Sequence, residues 1–281
     1  MKIPDVPPRK YQLGPATLYR GDVATVLERR IRPGSVDLII ADPPYNLGKR
    51  FGPLRERWPD DAAYAAWCRE WLDLCVDRLT PHGSMYLMAS TQGMPALDLY
   101  LRTRVHVLSR IVWCYDSSGV QAKRRFGSLY EPILHCVKDK RRYTFNADAI
   151  RVEARTGAVR RLIDHRKPIP APYSASKVPG NVWSFPRVRY MMPEYRDHPT
   201  QKPEALVERM IRASSNPGDM VLDLFAGTFT ASVVACRLGR RSVGVELHDG
   251  YVAIGRHRLR EDAGPRTRAR ATDPRPPPGP A

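Results

Sequence analysis

The run VDLIIA, Val36–Ala41, is apolar at nearly every position and stops against an aspartate followed by two prolines. A strand with one face in water alternates apolar and polar side chains. A strand that stays apolar at successive positions must be covered on both faces, the condition inside a parallel sheet. Parallel neighbours need long, usually helical crossovers, and the surrounding chain has the patterns for them. ATLYRGD (Ala16–Asp22) reads as a strand and VATVLERR as a helix, while Asp60 and Asp61 can cap a helix that puts Trp67, Trp71, Leu74, Cys75 and Leu79 on one face. PHG (Pro81–Gly83) is expected to stop that helix before a strand at SMYLMA, and another βα unit follows, with RIVWCY and YEPILHCVK as two further strands. From Pro203 the alternation resumes as helix PEALVERMIRASS, strand DMVLDLF, helix TASVVACRLG, strand SVGVEL and a last helix. This is the element order of an α/β fold.

Between about Lys138 and Pro199 the periodicity lapses into a mixture of Pro, Arg, Lys, Tyr and Trp. Such a stretch is too long for an idle connection and is expected to be a functional insertion. The end of the chain, GPRTRARATDPRPPPGPA, has almost nothing apolar with which to join a core and is expected to be disordered. The expected organisation is one domain over residues 1–261, an insertion at about 138–197, and a tail over 262–281.

Charge narrows the partner. The 46 Lys+Arg against 29 Asp+Glu give a formal net charge of +17, which favours nucleic acid or an acidic membrane surface without separating them. No apolar run approaches the length of a membrane span, and the N-terminus lacks the apolar stretch of a signal peptide, so a cytoplasmic protein is expected. The five cysteines are scattered, with no CxxC pair and no metal-like spacing to histidine; free buried thiols and no metal are expected.

A second informative stretch is VLDLFAGTFTASVVACRLGRRSVGVELHDGY, Val221–Tyr251. A strand enters a small-residue turn, a helix follows, and the next strand ends at Glu246, about 20 residues beyond the turn, where nucleotide-binding units place the acid that holds ribose hydroxyls. A dinucleotide site would want G-x-G-x-x-G, but FAGTFT carries Gly227 alone. That argues for a nucleoside ligand without phosphates, of which S-adenosylmethionine is the leading example. A plain strand-to-helix turn would also account for the glycine.

Taken in chain order, ADPPYN (Ala41–Asn46), HPTQKPEAL (His198–Leu206) and VLDLFAGTFT (Val221–Thr230) resemble the amino-group DNA methyltransferases of the β arrangement. There the catalytic motif precedes the cofactor motif, with target recognition between them. The similarity runs from about Tyr11 to Leu259, and RIVWCYDSSGVQAKRRFGSLYEPIL and KVPGNVWSFPRVRY look like the solitary, YhdJ-type adenine enzymes of that family. One departure stands out: where the family usually has F-x-G-x-G, Phe229 occupies the place of the second glycine.

The resemblance implies a Rossmann-like S-adenosylmethionine-dependent methyltransferase sheet with helices on both faces and a circularly rearranged motif order. It implies that an adenine flipped out of the duplex donates its amine hydrogens to Asp42 and to the carbonyl of Pro43, a direction stiffened by Pro43 and Pro44. Tyr45 is then the stacking platform, for which its ring rather than its hydroxyl is expected to matter. Asp223, Phe225 and Gly227 are implied in the cofactor pocket, Glu246 at the ribose, Asp22 near the cofactor's adenine, and Thr200 and Lys202 at the methionyl carboxylate. On residue chemistry alone, Asp22 and Thr200 serve equally as helix caps and Lys202 as a solvated charge. Double-stranded DNA is the implied partner, a homodimer the weaker expectation, and Arg187 and Arg189 in FPRVRY the candidates for base or phosphate contacts. An N4-cytosine enzyme, whose motif more often begins with Ser than Asp, and an inactive DNA-binding relative stand as alternatives. Carbon-5 methylation needs a cysteine nucleophile, usually in a Pro-Cys pair, and the chain has no such pair. Glutamine and RNA methyltransferases usually carry Asn at the position of Asp42.

Overall fold

A computed structural model describes residues 7–52, 54–116, 123–124, 126–154 and 162–263. Residues 264–281 of the expected tail and 155–161 of the expected insertion lie outside the described residues.

Nine strands among the described residues form one sheet. In chain order they are β1 (Arg9–Leu13), β2 (Ala16–Arg20), β3 (Val36–Ala41), β4 (Leu79–Met88), β5 (His106–Cys114), β6 (Tyr130–Val137), β7 (Val182–Ser184), β8 (Met220–Asp223) and β9 (Arg241–Glu246). Across the sheet the order is β1-β2-β9-β8-β3-β4-β6-β5-β7. The five strands from β2 to β4 are mutually parallel, whereas β6 pairs antiparallel with both β4 and β5. The connection from β3 to β4 and that from β8 to β9 leave in opposite directions across the sheet. The carboxyl ends of β3 and β8 therefore flank a switch in strand order, where open α/β sheets form their ligand crevice.

Both faces of the central strands are covered, as the run VDLIIA demands. Ile39 packs with Val26 and Leu27 of helix α1 (Val23–Arg30) and with Trp71, Leu72 and Cys75 of α2 (Asp61–Arg78), while Leu97 and Leu101 of α3 (Met94–Leu101) extend that layer. Leu38 and Ile40 face the other way, onto Leu206, Val207 and Met210 of α4 (Glu204–Ser214) and Val234 of α5 (Thr230–Arg237). Helix α6 (Asp249–Ala263) packs over β2 through Val252 and Leu259.

Several boundaries differ from the sequence expectation. PHG does not separate a helix from a strand: β4 begins at Leu79 directly after α2, and the register with β3 jumps from Val36–Leu79 to Leu38–Ser84. The three residues are a bulge within the strand. The expected insertion does not stand apart from the sheet, because Val182–Ser184 joins it as edge strand β7, parallel to β5, and Asn146 ties back to the carbonyls of Arg212 and Ser215. Nor does the tail begin at 262, since α6 runs to Ala263 and Asp262 pairs with Arg237 at 2.9 Å.

Phe229 accounts for its own departure from the family pattern. It precedes α5 in the left-handed region, at φ 61° and ψ 34°, so it keeps the backbone conformation a glycine would adopt without strain. Its ring is fully buried and fills space left open by two other glycines: a Cβ on Gly244 would lie 2.6 Å from the ring, and one on Gly255 would overlap it. Phe229→Gly should relieve about 1 kcal/mol of backbone strain but lose roughly 3–5 kcal/mol of core packing. A net loss of about 2–4 kcal/mol, read as a lower midpoint in urea or heat unfolding, is expected, whereas a variant as stable as the parent would contradict this account.

Candidate active site

Four parallel strands end side by side, and each delivers one element of the same site. Gly21 and Asp22 follow β2, Asp42 follows β3, Asp223 ends β8 and Glu246 ends β9. The cleft over these ends is lined by Asp22, Asp42, Pro43, Pro44, Tyr45, Thr200, Lys202, Phe225, Gly227 and Glu246, so nearly all of the residues singled out in the sequence meet there. Of the residues implied in catalysis and cofactor binding, Asp223 is the exception. It lies behind the main wall, in an adjoining recess that also has Asp42, Lys202, Gly227 and Thr230 on its walls.

The catalytic turn is held by a buried acid. Glu56, 2% exposed, accepts the backbone N–H of Tyr45 on one oxygen and those of Leu47 and Lys49 on the other, at 2.8, 3.1 and 3.2 Å. Asn46 turns the chain at φ 59°, and its side-chain oxygen accepts the Trp58 N–H at 2.9 Å. The glycine turn is held from α6, where Arg258, 3% exposed, donates to the Thr228 carbonyl and to the hydroxyls of Thr228 and Thr230.

At the centre sits a largely, though not fully, buried cluster of two acids, a cation and a phenol. Lys202 Nζ is 2.6 Å from Asp42 Oδ2 and 3.4 Å from Glu131 Oε2. The Tyr45 hydroxyl is 2.6 Å from Asp42 Oδ1 and 3.0 Å from Glu131 Oε2. Burial, with both acids beside it, holds the Tyr45 phenol well above its ordinary pKa. Burial alone would lower the Lys202 pKa, but Asp42 and Glu131 outweigh it and keep the ammonium charged. Two sequence expectations change here. The Lys202 ammonium is committed to the motif acid rather than open for a cofactor carboxylate. The Tyr45 hydroxyl, expected to be dispensable, has two partners.

The cofactor side is lined by acids that burial makes harder to ionise. Glu246 accepts the N–H of Gly227 on one oxygen and that of His248 on the other, both at 2.8 Å, yet burial raises its pKa to about 7. Asp223 rises to about 8, mainly through burial and then through the charges of Asp42 and Glu246. His198 is pushed down to about 3 by burial and by Lys202, and its ring packs at 4.4 Å from Tyr251 and against Gly227, where a Cβ would lie 2.9 Å away. Asp22 caps α1 through the N–H of Thr25 at 3.0 Å while also facing the cleft, so the cap and the cleft-lining position coexist. Thr200 caps nothing: Pro203 occupies the N-cap of α4, and the Thr200 N–H donates to His198 Nδ1 at 3.2 Å.

Arg187 stacks over the Tyr115 ring at 5.3 Å, and Tyr115 in turn is within electrostatic reach of Glu131 and Lys202. Arg189 is exposed, with its guanidinium 3.9 Å from Asp116. The cysteines are free thiols, and among the described residues no group of His, Cys, Asp and Glu is arranged to hold a metal. No described helix is long and apolar enough to cross a membrane.

Sequence reasoning passed over Glu131, Glu56 and Arg258. Glu131 left a usable signal, an acid near the start of the otherwise apolar strand YEPILHCV. Glu56, between two arginines, left none.

Comparison with known proteins places this geometry among its relatives. A DNA methylase family matches residues 36–256. The DNA adenine methyltransferase YhdJ of Escherichia coli (strain K12) is 56% identical over 243 residues, covering 86% of this chain and 82% of that protein. The type II methyltransferase M.HpaI of Haemophilus parainfluenzae is 35% identical over 233 residues, 82% of this chain and 70% of that protein. Among solved structures, the cytosine-N4-specific PvuII DNA methyltransferase superposes with a TM-score of 0.67 at 18% identity, covering 88% of this chain and 90% of that one. The M1.HpyAVI–SAM complex gives 0.56 at 24% identity, covering 86% and 99%. At these identities the structures establish the shared fold.

The raised acids have a measurable consequence. A carboxylate whose folded pKa lies above its unfolded value stabilises the protein below the unfolded pKa, and that contribution is lost as pH rises through the folded value. For Asp223 the window is about pH 4 to 8. His198 acts in the opposite sense, since a histidine held neutral loses stability as pH falls below its unfolded value near 6.5. Asp223→Asn should therefore be more stable than the parent at pH 8.5, by on the order of a few kcal/mol. The gain should vanish near pH 4, as read by chemical unfolding of the ligand-free protein at the two pH values.

Proposed function

The chain belongs to the DNA methylase family, and we propose that it is a site-specific DNA methyltransferase acting on the N6 amine of an adenine turned out of the duplex, with S-adenosylmethionine as methyl donor. What carries this reading is the meeting, in one cleft, of the Asp42–Tyr45 turn with Glu246 and the Gly227 turn. The donor set fits the cofactor's chemistry. Glu246 offers acceptor capacity suited to a ribose diol. Burial raises the pKa of Asp223 and Glu246, so a ligand bearing positive charge would favour their ionised forms and be held by them.

When bound, S-adenosylmethionine supplies an electrophilic methyl group on a sulfonium. The remainder is the work of the chain's own residues. The adenine amine is a weak nucleophile because its lone pair is delocalised into the ring. Asp42 and the Pro43 carbonyl accept its two hydrogens, draw the nitrogen out of plane, and oppose the positive charge that grows on it during attack. The surplus proton leaves along the hydrogen bond to Asp42. Pro43 and Pro44 fix the direction of the carbonyl, and Glu56 fixes the turn that carries both. The Tyr45 ring faces the displaced base, and its hydroxyl sets the rotamer of Asp42 by the 2.6 Å bond between them. Thr200 and Gly227 line the cofactor side of the cleft, with Phe225 as its aromatic wall.

Double-stranded DNA is the proposed partner, read by Arg187, Arg189 and the segment 138–197 around them. A homodimer, located in the cytoplasm beside the nucleoid, completes the reading.

Nucleoside mass spectrometry of DNA treated with purified protein should find N6-methyladenine; 4-methylcytosine in its place would overturn the base assignment. Asp42→Ala should lose methylation by about two orders of magnitude or more while its affinity for the cofactor changes little, because the lost interaction belongs to the transition state. Tyr45→Phe, which keeps the ring but loses the hydroxyl that contacts Asp42 and Glu131, should fall by about tenfold, and Tyr45→Ala further. Replacing Arg187 and Arg189 together by alanine should weaken DNA binding or blur sequence preference by about tenfold or more, seen in competition binding. Unchanged affinity and preference would remove both from the interface.

A further inference from the structure

We propose that Glu131 is a positioning residue for the transfer step: it takes over the Lys202 ammonium and the Tyr45 hydroxyl when Asp42 turns to the target amine. The inference rests on the reading of Asp42 as acceptor of that amine.

In this structure both oxygens of Asp42 are engaged, Oδ1 by the Tyr45 hydroxyl and Oδ2 by Lys202, each at 2.6 Å. An amine that donates to Asp42 competes with both for the same carboxylate, and its access improves as either one withdraws. The Lys202 side chain is 10% exposed, and a cation so poorly solvated cannot be left without an acid except at severe cost. Glu131 is the acid already in reach. Its Oε2 lies 3.4 Å from Lys202 Nζ and 3.0 Å from the Tyr45 hydroxyl, so it shares both partners of Asp42. A shift of roughly 0.5 Å would bring Glu131 within hydrogen-bonding distance of the ammonium and begin the exchange. The path is lined by aromatic faces, with Lys202 Nζ 5.5 Å from the Tyr45 ring centroid and 5.9 Å from that of Trp113.

Charge gives the exchange its direction. Two carboxylates and one ammonium leave the cluster at a net charge of −1, whichever acid holds the cation. While Lys202 sits on Asp42, the acid that must meet the growing charge on the target nitrogen is largely neutralised. Once Lys202 rests on Glu131, Asp42 faces the amine with its own charge unmasked. Glu131 can serve as a fixed receiver because it is carried in β6, opposite Trp113 in the ladder with β5, rather than on a loop.

The test is a double-mutant cycle read by single-turnover transfer of labelled methyl to unmethylated DNA. Glu131→Gln should slow transfer by about thirtyfold or more while leaving the dissociation constant for S-adenosylmethionine within about twofold. In a Lys202→Met background, where there is no cation to relocate, the same change should cost less than about threefold. Glu131→Asp keeps the acid and should recover part of the rate; measured in both backgrounds, it must show the same coupling, which also covers the case in which Glu131→Gln does not fold. An equal loss in both backgrounds, or no loss with Lys202 present, overturns the proposal. Asp42→Ala in the same assay separates the two readings. If it is inactive while Glu131 behaves additively, only the role of Glu131 fails, and if it retains methylation, the reading of Asp42 fails and the proposal with it.

Discussion

One buried ammonium holds the active end of this sheet together. Parallel strands bring their carboxyl ends to one side, and here four adjacent strands place Asp22, Asp42, Asp223 and Glu246 there, with Glu131 close by on β6. Acids gathered in a poorly solvated cleft are costly to ionise: burial raises the pKa of both Asp223 and Glu246, and for Asp223 the charges of Asp42 and Glu246 add to it. Lys202 is the cation placed between two of them, and it reaches that position from the segment preceding α4. The chain therefore has to pass back over the sheet ends after the insertion. HPTQKP joins the catalytic half to the cofactor half physically as well as in sequence.

Precision at the site comes from two charged struts, Glu56 in the wall of the cleft and Arg258 on α6. Glu56 gathers three backbone N–H groups of the catalytic turn, and Arg258 gathers three acceptors of the glycine turn. Both side chains are charged and almost completely buried, an arrangement that is tolerable only when each polar atom is matched. They serve the same end from opposite sides: neither turn is built of regular structure, so neither can be rigid without a partner that spans it. The consequence for chemistry is that the turns carrying Asp42 and Gly227 are held by side chains from other segments of the chain.

How much of this could be read from the sequence depends on the range of the interaction involved. The central strands and their covering helices were legible because burial on both faces leaves a continuous apolar run, as in VDLIIA, and because Asp60 caps α2 through the Ala63 N–H within its first turn. The site motifs were legible because each is local: an acid with two prolines, a glycine turn, an acid at a strand end. What stayed hidden was everything set by contacts between distant segments. The bond from Tyr45 to Glu131 spans 86 positions, and the cluster that gives the Tyr45 hydroxyl and the Lys202 ammonium their partners exists only once β3, β6 and the segment before α4 converge. The bulge at Pro81–Gly83 looked like a strand boundary because proline and glycine mark breaks of either kind. Edge strand β7 escaped notice because three residues are too few to show a period.

Phe229 shows which part of a motif is chemistry and which part is geometry. A glycine in a cofactor turn can be needed for its φ, for the space its missing side chain leaves, or for both. At Gly227 both apply: φ is 49°, and a Cβ would strike the His198 ring that forms part of the cleft wall. At position 229 only the φ is retained, and the side chain points away from the cleft into a pocket vacated by Gly244 and Gly255. The strain of a left-handed phenylalanine is offset by the apolar surface that its ring buries in the core against Leu18, Val233 and Val252. A turn that keeps its backbone path and keeps its cleft face clear can therefore give up the glycine itself, provided that the glycines are supplied elsewhere in the fold.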